Sequence, residues 1–364
     1  MRNPFSSDAT RAVISQFTVI ILLGIISFLV GAIAVLIAGE SPVGAYLELF
    51  KGAFGTRSNF AATVARSIPI IVTGVAAAVA FKAGYFNLGV EGQMVMGALA
   101  SAVVADWLRD LPPFVLFPIV VASGCLAGGL WALPSAWWQS RLQVPLLLTT
   151  LLMNYIATLF ASYLVNFPLR DLSGGAAVPQ TVMIPEAIRM GIALPGTRLH
   201  WGFLVALILP FAAHWLLRRT VLGYGMRMSG YNPGFAEYGG INMHATILIT
   251  MFISGAIGGL AGTINTLGVD FRFIDGAIVR SGHAWDGFIA ALLALAEPIP
   301  ILGTGFFLAV LEVGAAGMQR NTSVPLQLAD VVQAVIIFMI AVRLKVFDLV
   351  KQAIERFHKE PETA

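Results

Sequence analysis

Four side chains with useful chemistry lie close together in the stretch GYFNLGVEGQMVMGA, residues 84–98. Asn87 and Gln93 carry amides, Glu91 carries a carboxylate, and Phe86 carries an aromatic ring. Amides and carboxylates can hydrogen-bond a small polar solute, and an aromatic face can stack on a planar one. The surrounding sequence is strongly apolar, so these groups need a special environment.

Glycines in the same stretch predict a break in helical structure. Charge-free runs of 15 and 14 residues flank the stretch, from Arg66 to Lys82 and from Glu91 to Asp106. Short apolar segments interrupted by glycine are typical of broken helices that line a transport site. Two readings of Glu91 stay open: it lines a solute path, or it has a structural role, holding the break or pairing with Lys82.

The composition indicates a bilayer as the solvent. The chain has 364 residues, of which 58% are hydrophobic and 11% charged, and its mean hydropathy is +0.84. Soluble domains carry about 25% charged residues. The net charge of +3 comes from scattered residues, which argues against a nucleic-acid partner, and the five histidines show no metal-ligand spacing.

We predict an all-α integral membrane protein with about ten transmembrane helices, since one span takes roughly 20 apolar residues. Residues 42–62 are predicted to form an interfacial helix. The predicted segments are 13–38, 66–82, 90–107, 113–138, 144–166, 201–217, 243–267, 285–297, 299–318 and 327–344.

Lys and Arg near the segment ends predict the orientation. They place a terminal segment (1–12), the loop 218–242 and a polar tail (346–364) in the cytoplasm, around a transmembrane permease domain at 13–345. The proline-rich loop 167–200 then lies on the periplasmic side. A loop of that length is either functional or a poorly ordered linker.

Other polar residues inside apolar segments are further candidates for a solute path. Each has the alternative of an ordinary hydrogen bond between helices, which is the more frequent use of such a residue. These candidates are Asn154, Tyr155, Asn265, Trp285 and Asp286.

The loop 218–242 contains a predicted helix of only one or two turns. Asn232 suits the N-cap and Pro233 the first helical position, and Gly239 suits the helix stop. A helix that short must dock on another surface. The exposed aromatic residues predict a protein partner, the alternative being a loop packed on its own protein. The residues of this predicted contact are Asn232, Pro233, Phe235, Ala236, Glu237, Tyr238 and Gly239.

Several motifs together resemble permeases of ABC importers of the branched-chain amino acid and simple-sugar class. The stretch 84–98 is similar to the signature of the nucleoside branch, and TTLLMNYIATLFASYL and GYGMRMSGYNPGFAEYGGIN are similar to further segments of that branch. The resemblance covers roughly residues 60–345. It departs from the family at 144–146 and at 294–298, where Glu297 stands before Pro298.

The resemblance implies a type II ABC importer-like bundle in the bacterial inner membrane, importing a nucleoside or related solute. The expected partners are ABC ATPase subunits gripping residues 233–238, a second related permease forming a heterodimer, and a substrate-binding protein on the outer face. ATP and Mg²⁺ would be bound by the ATPase. The chain itself has no G-x-x-x-x-G-K-[ST] motif, so we expect it to hold no cofactor and to be no enzyme.

Two alternatives to a nucleoside importer remain. The same family also suggests a simple sugar such as ribose, or a branched-chain amino acid. A different class, the ion-coupled secondary transporter, would need no ATPase and would use Glu91, Asp286 or Glu312 as its ion site.

Overall fold

The computed structural model describes residues 29–33, 35–37, 39–173 and 178–322, together with Val331 and Ala334. This part of the chain is helical and has no β-strand, only two isolated bridges, Gln180 with Ile274 and Ile192 with His200. The α-helices are α1 (Pro42–Phe54), α2 (Arg57–Lys82), α3 (Val90–Trp107), α4 (Pro113–Leu142), α5 (Leu146–Asn166), α6 (Gly202–Arg219), α7 (Val221–Tyr231), α8 (Pro233–Tyr238), α9 (Met243–Asn265), α10 (Ala277–Ser281), α11 (His283–Leu293) and α12 (Ile301–Asn321).

Within the described residues, six helices are long and apolar enough to cross a membrane: α2, α4, α5, α6, α9 with its extension to Asp270, and α12. The all-α membrane class is therefore confirmed, whereas the count of ten is not. The predicted segment 285–297 is too short as α11, and α3 carries Glu91 and Asp106 at its two ends. The predicted segments 13–38 and 327–344, and the termini 1–12 and 346–364, lie wholly or largely outside the described residues.

The predicted single helix over 42–62 is wrong. Helix α1 ends at Phe54, Gly55 follows, and α2 already begins at Arg57. The sequence signal was ambiguous because Arg57 and Arg66 interrupt an otherwise apolar helix, which made the start of α2 look like an interfacial segment.

Close helix packing in residues 57–310 depends on glycine. Helix α9 packs against α4 and α3, and a Cβ at Gly259 would lie within 3.1 Å of the Gly128 Cα atom. A Cβ at Gly255 would lie 2.8 Å from the Cβ of Ala132. These glycines are packing residues, because small residues let helix backbones approach closely.

Residues 29–56 and 311–322 belong to a second compact unit. In it, Leu49 packs with Val35, Ala315 and Met318. Glu48 accepts hydrogen bonds from Lys51 at 2.6 Å and from Asn321 at 2.7 Å.

The loop 167–200 is packed where it is described, at 167–173 and 178–200. The Thr181 amide donates to the Phe273 carbonyl and the Ile184 amide to the Phe271 carbonyl, both at 2.9 Å. Ile184 and Ile188 are buried. These contacts argue against a poorly ordered linker for this part of the loop, while a function for the loop stays a prediction.

Candidate functional site

The predicted break separates α2 from α3 at residues 83–89. Gly84 has φ +81°, which L side chains rarely adopt, and a Cβ there would meet the Gly230 Cα at 3.1 Å. Residues 85–88 have no regular secondary structure. Regular helical structure is therefore interrupted between Lys82 and Val90.

Hydrogen bonds show the depth, measured along α2, at which the non-helical stretch 85–88 lies. Asn87 Nδ2 donates to Ser254 Oγ at 2.8 Å, and Ser254 Oγ donates to the Ala76 carbonyl at 2.7 Å. Ala76 lies six residues before Lys82, or about 9 Å along the helix. Non-helical backbone thus lies within the length of a membrane-spanning helix, which is tolerated where protein covers it or where it lines water.

Two amides stabilise the break. Asn87 and Gln93 each donate to the other's carbonyl oxygen at 3.1 Å. Asn87 Oδ1 also accepts the Gly89 amide at 2.9 Å. Asn87 is 0% and Gln93 2% exposed. With the bond to Ser254, every donor and acceptor of the Asn87 side chain is used.

Asn154, on α5, caps α3 from a neighbouring helix. Its Oδ1 accepts the Gly92 amide at 2.8 Å and its Nδ2 donates to the Leu88 carbonyl at 2.8 Å. The Gly92 amide is one of the first four of α3, which have no partner inside the helix. The N-cap residue, Gly89, has no side chain to supply one. Sequence reasoning missed this capping role and the part played by Ser254, because both depend on contacts between distant segments.

Glu91 and aromatic rings form an open surface beside these buried amides. Trp285 Nε1 donates to Glu91 Oε2 at 3.1 Å. Phe86 is 52% exposed and Trp285 43%. Phe288 lies edge-on to Trp285 with ring centroids 6.3 Å apart. The cleft lined by Glu91, Trp285 and Phe288 holds about 10 Å³, room for about one water molecule.

The remaining predicted path residues are spread more widely. Tyr155 is 68% exposed on α5. Asp286 lies near Arg66, with which it interacts electrostatically, and the Arg66 guanidinium donates to the Ser281 carbonyl at 2.9 Å. Asn265 Nδ2 donates to Asp270 Oδ2 at 2.6 Å, beyond the end of α9. The structure thus brings Glu91 and Trp285 into contact and connects Phe86 to Trp285 through the rings of Phe81 and Phe288. Asn265 is bonded elsewhere, to Asp270.

Pairing of Glu91 with Lys82 is wrong. Lys82 Nζ instead lies 2.6 Å from Glu297 Oε1, and Arg218 Nη2 lies 3.1 Å from the same oxygen. Burial raises the pKa of Glu297, but hydrogen bonds and charges of Lys82 and Arg218 outweigh it and hold the pKa below its usual value. This cluster, which we call the charged end, joins the ends of α2 and α6 to the turn before α12.

The short helix α8 is present with the predicted limits, Pro233–Tyr238. Asn232 Oδ1 accepts the Phe235 amide at 3.0 Å, which confirms the N-cap. Phe235 is 64% and Tyr238 97% exposed, while Ala236 is buried. Glu237 and Gly239 are also exposed.

Helix α7 connects α8 to the break. Tyr85 and Ser229 hydroxyls are 3.2 Å apart, and a Cβ at Gly230 would lie 2.9 Å from the Gly84 amide nitrogen. These contacts join α7, which leads into α8, to the non-helical stretch that precedes Glu91. Among the described residues, no group of His, Cys, Asp and Glu is placed to hold a metal ion.

Comparison with known proteins gives a consistent family. Residues 59–341 match the family described as branched-chain amino acid transport system / permease component. The chain is 30% identical over 330 residues to the guanosine ABC transporter permease protein NupP of Bacillus subtilis, covering 90% of this chain and 94% of the relative. It is 29% identical to the nucleoside ABC transporter permease protein NupB of Lactococcus lactis subsp. cremoris, covering 93% of each. It is also 29% identical to the glucose ABC transporter permease protein TsgB13 of Haloferax volcanii, covering 85% and 83%.

Proposed function

The chain belongs to the permease family of branched-chain amino acid transport systems, and from that premise we propose that it is the membrane subunit of an ATP-driven importer of nucleosides or related polar solutes. The observation that carries this proposal is the exposed helix α8, linked through α7 to the break beside Glu91. An importer needs such a link, because ATP is hydrolysed in one subunit and the solute moves through another.

Helix α8 is the proposed contact with the ATPase. It has six residues and exposes Phe235 and Tyr238, and a helix of that length gains stability by docking. Aromatic side chains are frequent anchors in protein interfaces. ATP and Mg²⁺ would bind to the ATPase subunits, and closure of those subunits would push α8 and α7 against the break. The charged end would then lie in the cytoplasm of a bacterial cell, and the loop 167–200 would meet a substrate-binding protein outside.

The solute path would run along the open surface formed by Phe86, Glu91 and Trp285. The residues on the buried side of that surface would support it without contacting the solute, since their amides are already hydrogen-bonded to the protein. They are Asn87, Gln93 and Asn154. Tyr155 would face the same path or the second permease, because the hydroxyl of an exposed tyrosine within a span is better placed against protein or water than against lipid.

The relatives suggest the solute. Guanosine, nucleosides and glucose are named for the relatives described above. Guanosine and glucose are uncharged and carry hydroxyls on adjacent carbons, as other ribonucleosides do. A nucleoside also offers a planar base for Phe86 or Trp285 to stack on. We therefore favour a nucleoside, with glucose-like sugars second.

The test is purification of the complex together with uptake measured in proteoliposomes. We expect an ATPase, a second permease and a binding protein to copurify, and uptake of guanosine to require ATP. Phe235→Ala should lower both ATPase recovery and uptake at least tenfold. The control is Val221→Ala, which changes a residue of the same loop that is even more exposed, at 89% against 64%, and it should leave both unchanged. Transport by the chain alone without ATP would overturn the proposal in favour of a secondary transporter.

A further inference from the structure

Glu91 is the side chain with spare hydrogen-bonding capacity among the described residues that line the cleft. Asn87 has its two acceptor sites filled by Gly89 and Gln93, and the Leu88 carbonyl accepts from Asn154. The Glu91 carboxylate takes one hydrogen bond, from Trp285 to Oε2. A carboxylate has about four acceptor sites, so most of its capacity points to a ligand or to water.

Trp285 fixes the direction of this carboxylate. The indole N–H holds Oε2, and the ring is itself packed edge-on against Phe288. Phe288 is part of a larger aromatic cluster. Phe81 lies edge-on to it with ring centroids 5.3 Å apart, and the Phe86 ring centroid lies 5.0 Å from that of Phe81. A fixed carboxylate at the border of an aromatic cluster is preorganised for a ligand with one polar and one planar half.

The chemistry of the carboxylate indicates which polar groups the ligand carries. An ionised carboxylate only accepts hydrogen bonds, and its two oxygens can take two donors side by side. The two hydroxyls on adjacent carbons of a ribose present such a pair. A phosphate, in contrast, would bring a negative charge against a negative charge.

We propose that Glu91 accepts hydrogen bonds from the vicinal 2′- and 3′-hydroxyls of the solute, and that Trp285 positions the Glu91 carboxylate for this contact. The proposal rests on the proposed function and deepens it by defining the substrate class: solutes with a vicinal diol, such as ribonucleosides, are preferred over their 2′-deoxy counterparts. The base lies on the aromatic cluster formed by Phe81, Phe86, Trp285 and Phe288.

The first test reads the permease directly, without its binding protein. The full-length chain, purified in detergent, is titrated with guanosine and with 2′-deoxyguanosine, and the Trp285 fluorescence is obtained by subtracting the Trp285→Phe signal. Loss of a hydrogen bond to a charged acceptor typically weakens binding by about tenfold or more. We expect guanosine to bind about tenfold more tightly than 2′-deoxyguanosine, and Glu91→Gln to bring the two affinities to within about twofold.

The second test is uptake by the complete importer, measured as the ratio of guanosine to 2′-deoxyguanosine. Since the same binding protein is used with every variant, a change in this uptake ratio must be caused by the permease. Glu91→Gln should move the ratio toward the binding protein's own preference, and Glu91→Asp, which retains the carboxylate, should keep more of the wild-type ratio at a lower rate. Trp285→Phe should raise KM more than it lowers kcat.

Equal binding of the two nucleosides to the wild-type chain would overturn the inference, as would an unchanged preference in a folded Glu91→Gln variant. If Glu91→Gln does not fold, the other two variants test the inference. A wild-type uptake ratio and rate in Glu91→Asp, together with an unchanged KM in Trp285→Phe, would overturn it. The proposed function fails separately, when the wild-type importer shows no ATP-dependent uptake of any nucleoside.

Discussion

Asn154 and Gly92 are joined by a hydrogen bond of 2.8 Å in which a side chain of α5 caps the first turn of α3. The same side chain donates to the Leu88 carbonyl, so one amide satisfies backbone groups on both sides of Gly89. The start of α3, which carries Glu91, is therefore held by a side chain 62 residues further along the chain.

Replacing Asn154 by Leu should destabilise the protein, because the buried Gly92 amide and the partly buried Leu88 carbonyl would lose their partners. An unsatisfied buried polar group costs about 1–3 kcal/mol, and we expect a loss of about 2 kcal/mol in the free energy of unfolding. Thermal unfolding in detergent measures this. Leu152→Ala, on the exposed side of the same helix, is the control. Equal melting temperatures for the two variants would show that the cap contributes little.

The contact between α7 and the break should not tolerate a side chain. A Cβ at Gly230 would collide with the Lys82 carbonyl and lie 2.9 Å from the Gly84 amide nitrogen. Gly230→Ala should therefore separate α7 from the break and lower ATP-dependent uptake by at least fivefold. At Gly225, on the same helix, a Cβ meets only Ile241 Cγ2 at 3.8 Å. Gly225→Ala should transport normally, and similar uptake by the two variants would contradict the proposed transmission route.

Local signals in the sequence were enough to predict the limits of some helices, but not the contacts between residues that are far apart in the chain. The N-cap Asn232 and the limits of α8 could be predicted because capping depends on residues close in the chain. The break at Gly84 could be predicted for the same reason. The partner of Lys82 could not, since Glu297 lies 215 residues away and Glu91 was the nearer carboxylate in sequence.

The role of the polar residues near Glu91 depended in the same way on tertiary contacts. Asn87, Glu91 and Gln93 look alike in sequence, as polar groups among glycines. In the structure, the two amides bond to each other and are buried, whereas Glu91 reaches an open surface. Burial of this kind follows from Ser254 and Asn154, which approach from α9 and α5.

His200 should make the protein less stable in mild acid. Burial lowers the pKa of His200 from 6.5 to about 4, and its Nδ1 accepts the Gly202 amide at 3.2 Å. The unfolded chain binds a proton near pH 6.5 and the folded chain only near pH 4, so stability is lost as the pH falls through this window. Between pH 7 and 5.5 we expect a loss of about 1 kcal/mol.

The matched variant for this prediction is His200→Asn, which retains a hydrogen-bond acceptor for Gly202 but does not titrate. Its melting temperature should fall less than that of the wild type between pH 7 and 5.5. Parallel curves for the two proteins would assign the acid sensitivity to other groups.

Glu297 should couple energetically to Lys82 at the charged end. The two side chains are 21% and 31% exposed and their charged atoms lie 2.6 Å apart, so Lys82→Met and Glu297→Gln should each lower stability by about 1 kcal/mol. The double variant should lose less than the sum of the two, since the second change removes a charge that has already lost its partner. Because the folded pKa of Glu297 is lowered, its contribution is complete above pH 4.5 and is lost as the pH falls through the folded pKa. Thermal unfolding of the four proteins at pH 7 measures the coupling, and additive losses would mean that Arg218 alone neutralises Glu297.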